Sequence, residues 1–338
     1  MPKTPHRRKL KAGRVFLLLV IVAAALFGVY KAFVRAPELT DTAPLPAESS
    51  SSQQSETSGN TSQSSQEVKP ADVRKPNFFN ILVSGLDDGN GGSDTNILVG
   101  FDADGGSVHC VSIPRDTLVN VSRKVKKINA AYNIGGGKQL SQEISDMLGV
   151  PVDFSVQVNL KGFAALVDAI GGVDFTVPIN MNYDDPVQGL SIHFTKGTHH
   201  LSGQEALEVV RFRHNNDGTG YGTEDIGRIG TQQAFLTAVA KKALSPANLS
   251  KVSSYAKIFH KYVDTDLSLG NLAWLGTQAI QMGTDNIHFS TLPGSGSGYY
   301  KGISYYTLDP SAVLEMVNIT VNPYTAPRTA ADLDIMVP

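Results

Sequence analysis

Cysteine is almost absent from this 338-residue chain: Cys110 is the only one, so no intramolecular disulfide can form and oxidising surroundings add no covalent staple. Its setting, the strand-like run VHCVSI, predicts a buried small hydrophobe. No internal repeat is present, which sets aside solenoids and arrays. Positive charge is also scarce over most of the length. Of 29 Lys and Arg, seven fall at or before Lys31, which leaves 22 against 31 acidic residues beyond it. That balance argues against a nucleic-acid partner, and any anion bound there must be caught by a local cluster rather than by the overall field.

What the chain does have begins at its N-terminus. Residues 1–14 carry six Lys or Arg and no acid, and VFLLLVIVAAALFGVY then runs uncharged from Val15 to Tyr30. A helix of that length rises about 24 Å against a hydrocarbon core of about 30 Å, so Ala32, Phe33 and Val34 extend it while Arg14 and Lys31 snorkel. The expectation is a cytoplasmic basic tail over 1–14 and one membrane-spanning helix over 15–34, with everything after it outside the cell. A cleaved secretion signal is the competing reading. The small residues Ala23 to Ala25 lie inside the apolar run, however, followed by Leu26 and Phe27, and no small-x-small exit comes after it.

Residues 35–76 are dense in Ser, Gln, Thr and Pro without apolar periodicity, which predicts a disordered tether. Residues 77–324 have the length and mixed composition of one large α/β domain, and 325–338 form a C-terminal tail. Within the domain, Phe78 to Val83 and Thr95 to Phe101 read as strands enclosing a loop with Asp87, Asp88 and Asp94. Asp87 and Asp94 can face each other and hold a hard cation such as Mg²⁺, or they can serve turn formation and solubility. A third strand, Val108 to Ile113, ends at Pro114. It presents Arg115 either for a bidentate grip on phosphate or as a structural pair with Asp116. Lys127, before Ile128 and Asn129, is expected to point inward, while Lys124 and Lys126 are expected at the surface. KQLSQEISDMLGV predicts an amphipathic helix with Leu140, Ile144 and Met147 or Leu148 inward, stopping at Gly149. Phe163 to Ile170 predicts another, followed by a Gly171-Gly172 break and a strand into Pro178.

The densest pattern lies in LSGQEALEVVRFRHNNDGTGYGTEDIGRIGTQQ. Ser202 and Glu205 form a candidate capping box, and the helix they start runs into Arg211 and Arg213. An extended segment would place both arginines on one face and Phe212 on the other. Like charges held so close make sense chiefly around a multivalent anion. From Asp225 the pattern turns helical, and Asp225, Arg228 and Gln232 share about one third of the circumference. An ordinary N-cap with a surface ion pair is the alternative.

Taken together, NILVSGLD, SDT, SIPRD, KINAAYNIGGG, GFAALVDAIGGV, LSGQEALEVVRFRH, DIGRIGTQQ and TLPG resemble, in order and spacing over roughly residues 78–320, the LytR-CpsA-Psr family of membrane-anchored bacterial envelope proteins. The resemblance implies an α/β/α sandwich with a mixed central sheet, preceded by one transmembrane helix in the cell membrane. A long groove or tunnel beside the arginines is expected with it. The implied activity moves a glycopolymer of the wall teichoic acid or capsular polysaccharide type from undecaprenyl pyrophosphate to a peptidoglycan sugar hydroxyl. The partners are then the polyprenyl-pyrophosphate-linked polymer, the peptidoglycan acceptor and membrane lipid; nothing specifies an oligomer. By position, Asp87 and Asp94 are similar to the family's metal-supporting aspartates, for Mg²⁺ or Mn²⁺. Arg115, Lys127, Arg211, Arg213, Asp225 and Arg228 are similar to its catalytic and phosphate-binding residues, with Gln232 beside them. Three positions depart from the pattern, because Gly89, Gly92 and Thr231 stand where the family usually carries arginine. Two alternatives keep the fold: a polyprenyl-phosphate binder with little or no transfer, and a polyprenyl pyrophosphate hydrolase.

Overall fold

A computed structural model of the chain describes residues 34–39, 73–86, 92–187, 189–221, 224–243, 245–249, 258 and 261–338. The expected membrane helix lies outside the described residues except for Val34, and so does most of the expected tether. Among the described residues no helix is long and apolar enough to cross a membrane.

The domain is built on strands β1 (Phe78–Leu86), β2 (Ser93–Asp102) and β3 (Ser107–Ile113). Helix α1 (Ala130–Leu148) then leads to β4 (Phe154–Asn159). The next elements are α2 (Leu160–Ala169), β5 (Val173–Val177), β6 (Met181–Asp185), β7 (Leu190–Phe194), β8 (Gly197–Leu201), α3 (Gly203–Arg211) and α4 (Glu224–Ala243). A single turn α5 (Pro246–Leu249), β9 (Val263–Thr265), α6 (Leu269–Met282), β10 (Ile287–Thr291), β11 (Gly294–Tyr300), β12 (Ile303–Leu308) and α7 (Pro310–Thr320) complete it.

Six strands form the central sheet in the order β10-β3-β2-β1-β4-β9. The β10–β3 and β1–β4 pairs are parallel and the other three are antiparallel, so the sheet is mixed as expected. Apolar residues alternate between its two faces because side chains in a strand alternate. On one face Leu82, Leu98 and Val111 stand side by side in register, each fully buried under α1 and α7. On the other, Phe79 and Phe101 pack on Trp274 of α6, whereas Val83, Ile97, Val99, Val156 and Phe289 stay only partly buried. One face is therefore closed and the other partly open. A separate cluster joins the β5–β8 and β6–β7 pairs to α2, α3 and α4 through Val167, Ile192, Phe212 and Phe235. Helix α4 lies between this cluster and the sheet, contacting β5 and β10.

Local sequence accounts for several boundaries. Helix α1 stops at Gly149, which takes the left-handed conformation (φ 65°) that glycine adopts without a Cβ clash. Helix α2 begins at Leu160, earlier than its apolar spacing suggests, because the Asn159 side chain caps it by accepting from Gly162 N at 2.8 Å. The Ser202–Glu205 capping box is formed in both directions. Residues on both sides of the 77–324 span pack against it: Arg74 makes a two-pronged ion pair with Asp153, and Leu333 and Ile335 cover the α1 side of the core.

Cys110 is buried in β3, and burial pushes its thiol up to about 12. A thiol reagent at pH 8 should therefore leave the folded protein almost unmodified and label one thiol per chain in denaturant. Fast labelling of the native protein would show that β3 is not where the fold puts it.

Candidate anion-binding site

The open face of the sheet meets two groups of charged side chains. The first grows from the strand ends. Pro114 closes β3, and Thr117 returns both its N–H and its hydroxyl to the Pro114 carbonyl, at 3.0 and 2.6 Å, making a tight turn at Arg115. The Arg115 guanidinium reaches Asp94 Oδ1 at 2.6 Å and Asp116 Oδ1 at 3.5 Å. Lys127 Nζ lies 2.9 Å from Asp116 Oδ2 and over the Tyr305 ring at 5.9 Å. Asp94, Arg115, Asp116 and Lys127 thus form a row of alternating charge, in which Arg115 pairs with both aspartates and stays about one third exposed.

The loop bearing Lys127 is held from within. Arg123 donates to the Val125 carbonyl at 2.9 Å, to the Lys127 carbonyl at 2.7 Å and to the nearly buried Glu143 at 2.5 Å. Lys124 is exposed as expected. Lys126 is not an ordinary surface lysine: it is half-buried and its ammonium donates to the Val121 carbonyl. A lysine among apolar neighbours finds a backbone acceptor rather than losing its hydration uncompensated.

The second group comes from the α3–α4 connection. Arg211 is the last residue of α3 rather than part of an extended segment; the backbone turns extended at Phe212, whose ring is fully buried. Phe212 nevertheless points inward while Arg213 is exposed and Arg211 is half-buried. The asparagines that follow have a defined task. Asn215 and Asn216 side chains accept from the backbone N–H groups of Asn182 and Asp184, at 2.6 and 2.7 Å, and fasten the arginine turn to β6. Sequence patterning offered no sign of this, because the partners are 33 and 32 residues away.

On α4, Arg228 is half-buried and the Gln232 amide donates to the Val210 carbonyl at 2.9 Å, tying α4 to the end of α3. The Asp225 position belongs to α4, but its side chain lies outside the described residues, as do Asp87 and Gly89. Thr231 is buried and donates to the Gly227 carbonyl at 3.0 Å. Gly92 has φ 118°, a conformation that side chains rarely adopt. Neither position is simply an arginine site with its cation removed. Gly92→Ala is expected to lower stability by about 1–3 kcal/mol through backbone strain, read as a lower unfolding midpoint; an unchanged midpoint would contradict the positive φ.

A shallow, narrow cleft opens between the sheet and α4: Thr95, Ile97, Cys110, Ser112 and Phe289 line it from the sheet, and Gln232, Gln233 and Leu236 from α4. Thr95 adjoins Asp94, Ser112 stands three residues before Arg115, and Gln232 lies one helical turn beyond Arg228. Its lining mixes apolar side chains with the hydroxyls and amides of Thr95, Ser112, Gln232 and Gln233. A long tunnel is not seen among the described residues; this short cleft and the partly buried residues beyond it are what the fold provides.

The LytR_cpsA_psr family model matches residues 45–322. The chain belongs to that family. Among its relatives, the polyisoprenyl-teichoic acid–peptidoglycan teichoic acid transferase TagU of Bacillus cereus is 32% identical over 262 residues, covering 76% of this chain and 81% of that protein. The transferase of the same description TagV of Bacillus subtilis is 31% identical over 316 residues, covering 90% and 75%. The crystal structure of B. subtilis TagV superposes with a TM-score of 0.59 at 27% identity, over 70% of this chain and 93% of that one. TagT bound to LI-WTA superposes with a TM-score of 0.56 at 26% identity, over 71% and 87%. Family membership makes this chain one of an enzyme family of cell-envelope glycopolymer transferases.

Proposed function

We propose that the protein transfers an anionic glycopolymer from a polyprenyl pyrophosphate carrier to a peptidoglycan sugar hydroxyl at the outer face of the cell membrane. The observation that supports this reading in a chain of this family is the partly open apolar sheet face, with Ile97 and Phe289 in its cleft, together with the charged row Asp94, Arg115, Asp116 and Lys127 that begins where β3 ends. A prenyl chain needs apolar cover and its head group needs cations.

In this reading Arg115, Arg211, Arg213 and Arg228 hold the two phosphoryl groups and Lys127 adds charge at the Asp116 end. The sugar oxygen attacks the phosphorus that bears the polymer and forms a new P–O bond. The bond from that phosphorus to the bridging oxygen breaks, and polyprenyl monophosphate departs with the electron pair. The hydroxyl proton leaves with that phosphate, a stronger base than a carboxylate set among arginines. Asp225, three residues before Arg228, orients its guanidinium, and Gln232 keeps α4 against the end of α3. No covalent enzyme intermediate is needed.

A divalent cation would suit the Asp94 end of that charged row. Asp94 offers a half-exposed carboxylate, and the neighbouring Ser93 hydroxyl is buried without a hydrogen-bond partner. Asp94 and Asp87 would hold Mg²⁺ or Mn²⁺, which supplies neutralising charge to the pyrophosphate.

The lipid half of the reading is tested by binding a series of inorganic, farnesyl and geranylgeranyl pyrophosphate to the full chain in detergent. Affinity should rise several-fold with each lengthening of the prenyl chain. Equal affinity across the series would remove the apolar face from the account.

A further inference from the structure

Tyr221 lies in the connection between Arg213 and Arg228. It is 9% exposed, and its ring meets the Phe212 ring edge-on at 5.7 Å between centroids. Phe212 is the residue between Arg211 and Arg213. The root of the same side chain lies against Gly227, where a Cβ would come within 2.5 to 2.7 Å of Tyr221 Cβ, Cγ and Cδ1. Gly227 is the residue before Arg228. One aromatic side chain therefore touches both the segment that carries Arg211 and Arg213, through Phe212, and the helix turn that carries Arg228, through Gly227. Its hydroxyl is buried without a well-formed hydrogen bond, so packing rather than a polar contact holds the ring. Burial pushes the phenol upward, opposed by the smaller effects of the Thr231 hydroxyl and the Arg228 charge.

We propose that Tyr221 is a positioning residue for the arginine cluster: its ring is the spacer that sets the separation of the Arg211–Arg213 segment from Arg228. The ring touches neither substrate nor reacting atoms. It acts through Phe212 and Gly227 on the guanidinium groups that grip the pyrophosphate, and this role rests on the function proposed above. Three arginines that must meet one anion need a fixed spacing, and a buried ring with few rotatable bonds supplies it at little entropic cost.

The test uses the full chain in detergent with geranylgeranyl pyrophosphate as probe. Gly227→Ala places a methyl group where the ring lies while improving helix propensity, so it displaces Tyr221 without unmaking α4. Tyr221→Leu removes the ring, and Tyr221→Phe keeps it. Gly227→Ala and Tyr221→Leu should each weaken probe binding by about tenfold, within the range of couplings between neighbouring residues. Tyr221→Phe should bind within about twofold of wild type, the difference expected from a buried hydroxyl that makes no well-formed bond. The decisive readout is a double-mutant cycle between Arg213→Ala and Arg228→Ala. Their effects on binding should be non-additive in the wild-type background and additive with Gly227→Ala present, a change that a merely stabilising residue would not produce. Coupling that persists in Gly227→Ala, or a loss in Tyr221→Phe as large as in Tyr221→Leu, would overturn the proposal. A wild-type protein that does not bind the probe would overturn the proposed function and this role with it; binding with unaltered coupling would overturn the role of Tyr221 alone.

Discussion

Replacing Arg213 by alanine is expected to lower the rate of glycopolymer transfer by about 10²–10³-fold, the usual cost of removing one group that stabilises charge in a transition state. Arg213 is exposed, yet its turn is fastened to β6 through Asn215 and Asn216, so the guanidinium is held out from an ordered base. An exposed arginine that served only solubility would need no such fastening. Arg213→Lys should recover part of the loss, because an ammonium supplies charge without the bidentate fork. The thermal midpoint should stay within a degree or two of wild type, since the side chain is outside the core. Transfer within about threefold of wild type for Arg213→Ala would remove this residue from the phosphate grip.

Arg123→Ala is expected to have the largest effect on stability. Glu143 is 5% exposed and takes its charged hydrogen bond from Arg123, with a second bond from Gln139 at 3.1 Å. Removing the guanidinium leaves a buried carboxylate without its countercharge, which costs about 3–5 kcal/mol, and also frees the Val125 and Lys127 carbonyls that Arg123 holds. The unfolding midpoint should fall by roughly 6–20 °C at the 2–4 °C per kcal/mol usual for a domain of this size. Transfer should fall as well even where the protein is folded, because the Lys127 loop loses its brace. Arg123→Ala combined with Glu143→Leu should regain much of the stability, since both charges are then gone, but not the loop geometry. A single variant as stable as wild type would show that the pair contributes nothing to the fold.

Local grammar was legible where one short segment decides the outcome. The capping box at Ser202, the stop at Gly149 and the inward faces of α1 follow from neighbours within a turn. Strands β1, β2 and β3 were legible for the same reason, and the mixed character of the sheet came through the family resemblance, whereas β4, β9 and β10 carried no such local signal. What stayed hidden depends on partners distant in sequence. Lys126 looked like a surface lysine until the Val121 carbonyl and its half-buried setting came into view. Nothing near Asn215 and Asn216 in the sequence marks them as the acceptors that serve β6. Tyr221 is a lone aromatic in a polar passage, and only its contacts with the Phe212 ring and the Gly227 notch show its place. The missing arginines were visible as substitutions, but the positive φ of Gly92 and the burial of Thr231 are properties of the folded chain.

The most direct measurement of the central claim incubates the full-length protein in detergent with lipid-linked glycopolymer, Mg²⁺ and peptidoglycan fragments, and follows both products together. The proposed function predicts polymer joined to peptidoglycan through a phosphodiester, with one polyprenyl monophosphate released for each polymer transferred, and loss of both with Arg213→Ala. Polyprenyl monophosphate released without joined polymer would mean hydrolysis, and neither product from a protein that binds the lipid would mean a binding protein; either result would contradict transfer.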